Sequence, residues 1–177
     1  MLNPKVDRRW VAGLSSAALV LISLVACSFF DWSEEPPPPP KKEQVQLPSD
    51  LSLEKNAAFL AQHSKEEGVT VTPSGLHYRE ITAGSGAKPG PTSTVTVHYK
   101  GTLINGKQFD SSYGGDPARF PLNRVIKGWT EGLQLMREGG KAELVLPSNL
   151  GYGSRGAGGD IPPDQVLIFE VQLIDVE

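Results

Sequence analysis

VHYKGTLINGKQFDSSYGGDPARFPLNRVIKGW, residues 97–129, spaces Tyr99, Phe109, Phe120 and Trp129 among aliphatic residues and sets one acid, Asp110, directly after an aromatic. The stretch holds no His/Cys cluster, no paired carboxylates and no phosphate-binding loop. Such residues describe an apolar pocket with very few polar groups, suited to an uncharged ligand. The backbone of the stretch is legible too. Val95, Val97 and Tyr99 alternate with Thr96, His98 and Lys100, the period of a half-buried strand. Asn105-Gly106 then marks a tight hairpin turn.

Outward from this stretch the chain reads as short strands separated by Gly/Pro turns. Leu76, Tyr78 and Ile81 sit in one strand on the N-terminal side. Ala142, Leu144 and Leu146 make an alternating face that ends at Pro147. Leu167, Phe169, Val171 and Leu173 make another, with Glu170 and Gln172 on the opposite side. Only Gly128 to Arg137 interrupts this with helix spacing, Trp129, Leu133 and Met136 lying at i, i+4 and i+7. An antiparallel twisted sheet wrapped around one short helix, preceded by a short N-terminal helix, is an α+β architecture.

The first 26 residues read as a leader and not as part of the fold. Lys5, Arg8 and Arg9 precede an apolar run from Val11 to Ala26, shorter than the roughly 20 residues that cross a bilayer core. Cys27 is the only cysteine, which excludes an intrachain disulfide. Residues 27–50 form a Pro-rich tether in which Pro36 to Pro40 extend as polyproline II. Residues 51–68 form a short helix capped by Ser52, with Leu53, Ala57, Leu60 and Ala61 at helical spacing and Gly68 as its stop. Residues 69–177 form the main domain. With 17 Lys and Arg against 20 Asp and Glu, a net charge of −3 and no basic block outside the leader, the chain lacks a nucleic-acid footprint.

Two resemblances add to these readings. Leu24-Val25-Ala26-Cys27 resembles the lipobox of bacterial lipoproteins. That likeness implies a diacylglyceryl group on the Cys27 thiol, cleavage before it and a membrane anchor. Ser28 next to it, where Asp would favour inner-membrane retention, implies the outer membrane, on its periplasmic or outer side. VHYKGTL, FDSS, VIKGW, LGYG and IPP, in this order and near this spacing, resemble the FKBP-type peptidyl-prolyl isomerases over Gly75 to Glu177. NAAFLAQHSKEEGV is similar to the end of the N-terminal dimerisation domain of Mip-like and FkpA-like members. Only its last turns are present, which points to a monomer.

The FKBP resemblance implies the FKBP-like fold and rotation of X-Pro bonds in proline-containing polypeptides, with no cofactor and no metal. It implies Trp129 as the pocket floor and Tyr99, Phe109, Phe120, Val125, Ile126 and Phe169 as walls. The Ile126 backbone N–H and the Tyr152 hydroxyl would donate to substrate carbonyls. Asp110 would lie at the edge, hydrogen-bonded to Tyr99, and Ile161, ahead of Pro162-Pro163, would overhang the cavity. Tyr99, Asp110, Ile126 and Tyr152 are thus the expected catalytic set, and a macrolide such as rapamycin the expected inhibitor.

The same residues have plainer readings. Val125, Ile126 and Phe169 would be core in any β-rich fold, Trp129 could plug a core, and Asp110 could cap a turn through Ser111 and Ser112. Tyr152, between Gly151 and Gly153, is the least easily explained as structural. Ala118 stands where several members place an aromatic, and no Arg falls at the usual place to pair with Asp110; Arg119 or Arg124 is the candidate substitute, and the sequence does not choose between them. A non-catalytic peptide-binding chaperone or surface module on the same fold is the alternative reading. No histidine is expected to act in catalysis: His98 faces outward as a surface or turn partner and His63 is solvated.

Overall fold

The computed structural model of the chain describes residues 50–177. The leader, Cys27 and the proline run lie outside the described residues. Among the described residues seven strands form one antiparallel sheet: β1 (Val69–Val71), β2 (His77–Thr82), β3 (Thr94–Leu103), β4 (Gln108–Ser111), β5 (Ala118–Pro121), β6 (Lys141–Leu146) and β7 (Leu167–Val176). Their order is β1-β2-β6-β7-β3-β4, with β5 also pairing β3. The first half of β3 pairs β5 and its second half pairs β4, while its other edge runs along β7. Shifts of register at Thr96/Val97 and Gly101/Thr102 bend this ten-residue strand. This α+β sheet, with one short helix in its concavity, agrees with the expected fold.

Alternation decides which residues fill that concavity. Val95 and Val97 of β3, Ala142, Leu144 and Leu146 of β6, and Leu167, Phe169, Val171 and Leu173 of β7 are buried in one cluster. Helix α2 (Lys127–Leu133) lies against the same cluster through Trp129 and Leu133. It comes close because two of its residues lack a side chain. A Cβ on Gly128 would stand 2.1 Å from Leu146 Cδ2, and one on Gly132 would stand 2.8 Å from Leu144 Cδ1. The helix is shorter than its spacing suggested and ends at Leu133; Met136 is buried from the following turn.

The other face of the sheet has its own core. Val145 and Ile168 point away from the first cluster and join Ile104 and Val166, with Leu51, Phe59 and Leu60 packed on them. Helix α1 (Leu53–His63) covers this face. Ser52 caps it as expected, its hydroxyl accepting the Lys55 N–H. The inward side of α1 corrects the sequence reading. Leu53, Ala57 and Ala61 are exposed, Leu60 is half-buried, and the fully buried residues are Asn56 and His63. The helix ends at His63, and Gly68 follows after a further turn with φ of +77°.

His63 is not solvated. Its Nδ1 lies 3.0 Å from His77 Nδ1 and its Nε2 3.1 Å from Glu143 Oε1. Arg79 bridges Glu143 at 2.6 Å and Glu66 at 3.0 Å, so the helix end is held by a polar network. His98 is a turn partner as expected, its Nδ1 lying 3.1 Å from the Ser112 hydroxyl and its ring stacked on Tyr113.

Candidate active site

The floor of the site follows from α2. Ile126 precedes the helix in extended conformation, with φ of −61° and ψ of 150°, and Trp129 sits in the first turn, 4% exposed. Three rings stand nearly perpendicular to the indole: Tyr99 at 5.1 Å and 85°, Phe120 at 5.6 Å and 85°, and Phe169 at 5.3 Å and 81° between centroids. Phe109 extends the wall, meeting Phe169 edge to face at 5.5 Å. Edge-to-face pairs of this kind are the favoured aromatic arrangement. They hold a flat apolar floor with upright sides. Gly101 makes room for them, since a Cβ there would stand 2.5 Å from Phe109 Cζ.

These rings enclose an open cavity of about 710 Å³. All ten residues expected in the pocket line it: Tyr99, Phe109, Asp110, Phe120, Val125, Ile126, Trp129, Tyr152, Ile161 and Phe169. Their spacing along the chain hides this convergence, because β3, β4, β5, α2 and β7 each supply one or two. Arg124, Ala157, Gly158 and Asp160 line the cavity as well and were not among the expected site residues. Asp160 is paired with Lys107 at 3.1 Å, so the rim loop is tied across to the hairpin after β3. Nothing in a single sequence announces that pair.

The polar groups are few and specific. The Tyr99 hydroxyl donates to Asp110 Oδ2 at 2.6 Å, and the Ser111 N–H donates to Asp110 Oδ1 at 2.8 Å. The pocket-edge role and the turn-capping role of Asp110 therefore coexist. Burial, then the hydrogen bond to Asp110, pushes the Tyr99 hydroxyl far above its ordinary range, so it remains a donor at any physiological pH. Tyr152 is 40% exposed, and partial burial followed by the charge of Asp110 raises its hydroxyl too. Among the described residues no acceptor takes the Ile126 N–H. Neither arginine pairs with Asp110: Arg119 is bound to Glu177, and Arg124 reaches the cavity without a carboxylate partner among the described residues. The buried indole N–H of Trp129 has no protein partner there.

Ile161 overhangs the cavity through a small closed loop. Ala157 and Ile161 exchange two backbone hydrogen bonds, at 2.9 and 3.1 Å. Gly156, with φ of +64°, lets the loop turn in, since a Cβ there would meet the Ile161 carbonyl oxygen at 2.4 Å. Ala118, the position lacking an aromatic, lies on β5 opposite Val97 of β3 and is absent from the cavity lining. The aromatic box closes without it.

This constellation matches known proteins. The family model for "FKBP-type peptidyl-prolyl cis-trans isomerase" matches residues 85–174, and the model for "domain amino terminal to FKBP-type peptidyl-prolyl isomerase" matches residues 40–79. "Outer membrane protein MIP" of Legionella longbeachae is 40% identical over 99% of this chain and 76% of its own length. The FKBP-type isomerase FkpA of Aeromonas hydrophila is 53% identical over 70% of this chain and 46% of its own. Among solved structures, FkpA from Escherichia coli aligns with a TM-score of 0.68 at 46% identity, covering 70% of this chain and 58% of that one. The isomerase from Pseudomonas syringae pv. tomato aligns with a TM-score of 0.67 at 42% identity, covering 71% and 92%. The chain thus spans about half the length of the FkpA relatives it matches. With its motifs, fold and pocket in agreement, the chain belongs to the FKBP-type peptidyl-prolyl cis-trans isomerase family.

Proposed function

We propose that this chain accelerates cis–trans rotation about X-Pro bonds in polypeptides of the cell envelope. One observation carries the reading. Three rings stand upright around a flat indole, and the Asp110 carboxylate at the pocket edge already accepts from Tyr99 and the Ser111 N–H. An X-Pro amide resists rotation by about 18–20 kcal/mol because resonance gives its C–N bond double-bond character. Breaking that resonance makes the amide less polar, so an apolar cavity favours the twisted form over the planar one. No nucleophile, metal or cofactor is needed.

Each residue then has a task. The proline ring rests on Trp129 between Tyr99, Phe120 and Phe169. The Ile126 N–H and the Tyr152 hydroxyl donate to the substrate carbonyls and fix the orientation of the bond being rotated. Asp110 holds Tyr99 upright and places a negative edge beside the twisting carbonyl carbon. Ile161 caps the mouth against water.

The leader and the proline run support a lipid-anchored location. Cys27 would carry the lipid, residues 27–50 the tether, and the outer membrane the anchor; a relative bearing the name "Outer membrane protein MIP" fits this reading. A macrolide of the rapamycin kind would compete for the same pocket, and the short α1 would leave the protein a monomer. A protease-coupled isomerisation assay on the full chain tests the activity, with the macrolide as competitor. Acceleration abolished by the macrolide is the expected result. Acceleration untouched by saturating macrolide would place the activity outside this pocket. Mass spectrometry of the mature N-terminus tests the anchor separately, an unmodified Cys27 or an intact Met1 counting against it.

A further inference from the structure

A buried polar contact outside the pocket reaches its rim. Asn56, on α1, is 4% exposed, and Gln165, just ahead of β7, is 5% exposed. Asn56 Nδ2 donates to Gln165 Oε1 at 3.1 Å, and Asn56 Oδ1 accepts the Val166 N–H at 2.8 Å. Asn56 Nδ2 also donates to the Ser52 and Leu51 carbonyls at 2.9 and 3.2 Å. Gln165 Nε2 donates in turn to the Pro163 carbonyl at 2.9 Å and the Leu51 carbonyl at 3.1 Å. Both amides are thus satisfied by one another and by backbone. A residue that broke this link would leave buried donors and acceptors unpaired.

The loop this link grips is the one that overhangs the cavity. Pro163 ends the run that begins with Ile161, and Asp164 follows with φ of +59°, the one non-glycine residue at positive φ among the described residues. Such a conformation persists only where the surroundings impose it. Here the Asp164 N–H donates to the Gly153 carbonyl at 2.9 Å, next to Tyr152. Besides the Lys107–Asp160 pair at the rim, three attachments therefore fix the loop. Two of them, the Ala157–Ile161 pairing and the Asp164–Gly153 bond, are internal to the pocket wall. The third comes from α1, more than 100 residues earlier in the chain.

We propose that Asn56 is a positioning residue for the pocket. Through Gln165 it sets the height of the 157–163 loop above the indole floor and the spacing of Ile161 from Tyr152 across the mouth. Helix α1 is then a strut of the active site as well as a cover for the second core. The kinetic arm of the test rests on the isomerase reading; the structural arm does not.

Variants of the full chain separate this link from ordinary helix docking. Asn56→Ala removes both loop bonds, Gln165→Ala breaks the link from the loop side, and Asn56→Asp keeps the acceptor for the Val166 N–H. Leu60→Ala loosens α1 in its apolar seat without touching Gln165. On a Leu-Pro tetrapeptide, Asn56→Ala and Gln165→Ala are each expected to raise KM about tenfold per folded molecule with kcat little changed, the signature of lost positioning in the bound state. Asn56→Asp keeps the acceptor for the Val166 N–H but turns a carboxylate toward Gln165 Oε1, so it should raise KM as Asn56→Ala does. Leu60→Ala should leave KM within about twofold of the parent. The second readout is exchange of the Ile161 amide hydrogen, expected to quicken about tenfold in Asn56→Ala and Gln165→Ala but not in Leu60→Ala. Unchanged KM and Ile161 exchange in either folded alanine variant would overturn the proposal, as would equal shifts from Leu60→Ala. If the parent chain proves no faster than buffer, the isomerase reading fails alone, and Ile161 exchange still decides whether Asn56 positions the loop.

Discussion

The cavity and the seam under α1 are built from opposite materials on opposite faces of one sheet. The cavity gathers aromatic rings and leaves its few donors, Ile126 N–H and Tyr152 hydroxyl, turned toward open space. The seam gathers His63, His77, Glu143, Arg79 and Glu66 and satisfies them among themselves. Unpaired groups in the first are capacity for a ligand, because a buried donor without a partner gains by meeting one. Paired groups in the second are structure. A polar cluster marks a candidate site when its hydrogen bonds remain unspent, and the number of titratable residues is a poor guide.

This contrast predicts where substitutions act. The largest effect is expected from Trp129→Ala, which removes the floor under three rings. It should lower stability by about 3–5 kcal/mol and kcat/KM for isomerisation by about a hundredfold or more, read by chemical denaturation and by peptide assay on the folded fraction. Gly101→Ala should come next, because the added Cβ would drive Phe109 and Phe169 out of their edge-to-face pair. Overpacking of this kind costs about 1–3 kcal/mol, and the distorted wall should lower kcat/KM about tenfold. His63→Ala tests the other region: a stability loss of about 1–3 kcal/mol is expected from the groups left unpaired, with kcat/KM of folded molecules unchanged. A kinetic loss matching that of Gly101→Ala would erase the distinction between the two regions.

The smallest effect is a dependence of stability on pH. The contact between the two Nδ1 atoms requires one ring to donate and the other to accept, so two imidazoliums cannot share it. Burial, then the charge of His63, holds His77 below its ordinary value of 6.5. Its proton therefore binds more tightly in the unfolded chain, and stability is full above pH 6.5 and declines as pH falls below it. One proton limits the slope to about 1.4 kcal/mol per pH unit. Glu143 adds to the same trend in more acid solution. Burial raises its carboxyl, but the hydrogen bond from His63 and the charge of Arg79 outweigh this and leave it below 4.5. Urea titrations from pH 8 to 5 should show the decline in the parent and a flatter profile in His77→Phe. A parent profile flat across that range would contradict the buried pair.

The two regions also differ in how far the sequence disclosed them. The cavity was legible because its residues fall in the short motifs VHYKGTL, FDSS, VIKGW, LGYG and IPP, whose likeness to the FKBP-type isomerases implied each role, while strand alternation independently placed only Tyr99 and Phe169 on an inner face. The seam was not. Periodicity put Leu53, Ala57 and Ala61 on the inner side of α1, yet those residues face solvent and Asn56 and His63 face inward. Hydrophobic spacing cannot anticipate a helix docked through an amide and an imidazole whose partners lie far along the chain. A weaker signal was available. Val145 and Ile168 are apolar on the side of β6 and β7 opposite the first core, which indicates that something covers that face. The missing partner for Asp110 has a similar lesson: Tyr99 and the Ser111 N–H already satisfy it, so no arginine is required.

The account stands most directly on one measurement, NMR exchange between the cis and trans forms of a Leu-Pro tetrapeptide with the full chain added. The expected result is an exchange rate that rises in proportion to chain concentration and falls about tenfold when Asp110→Asn weakens the hold on Tyr99. An exchange rate equal to that of buffer, while the peptide still binds in the cavity, would contradict it and leave a peptide-binding module in place of an isomerase.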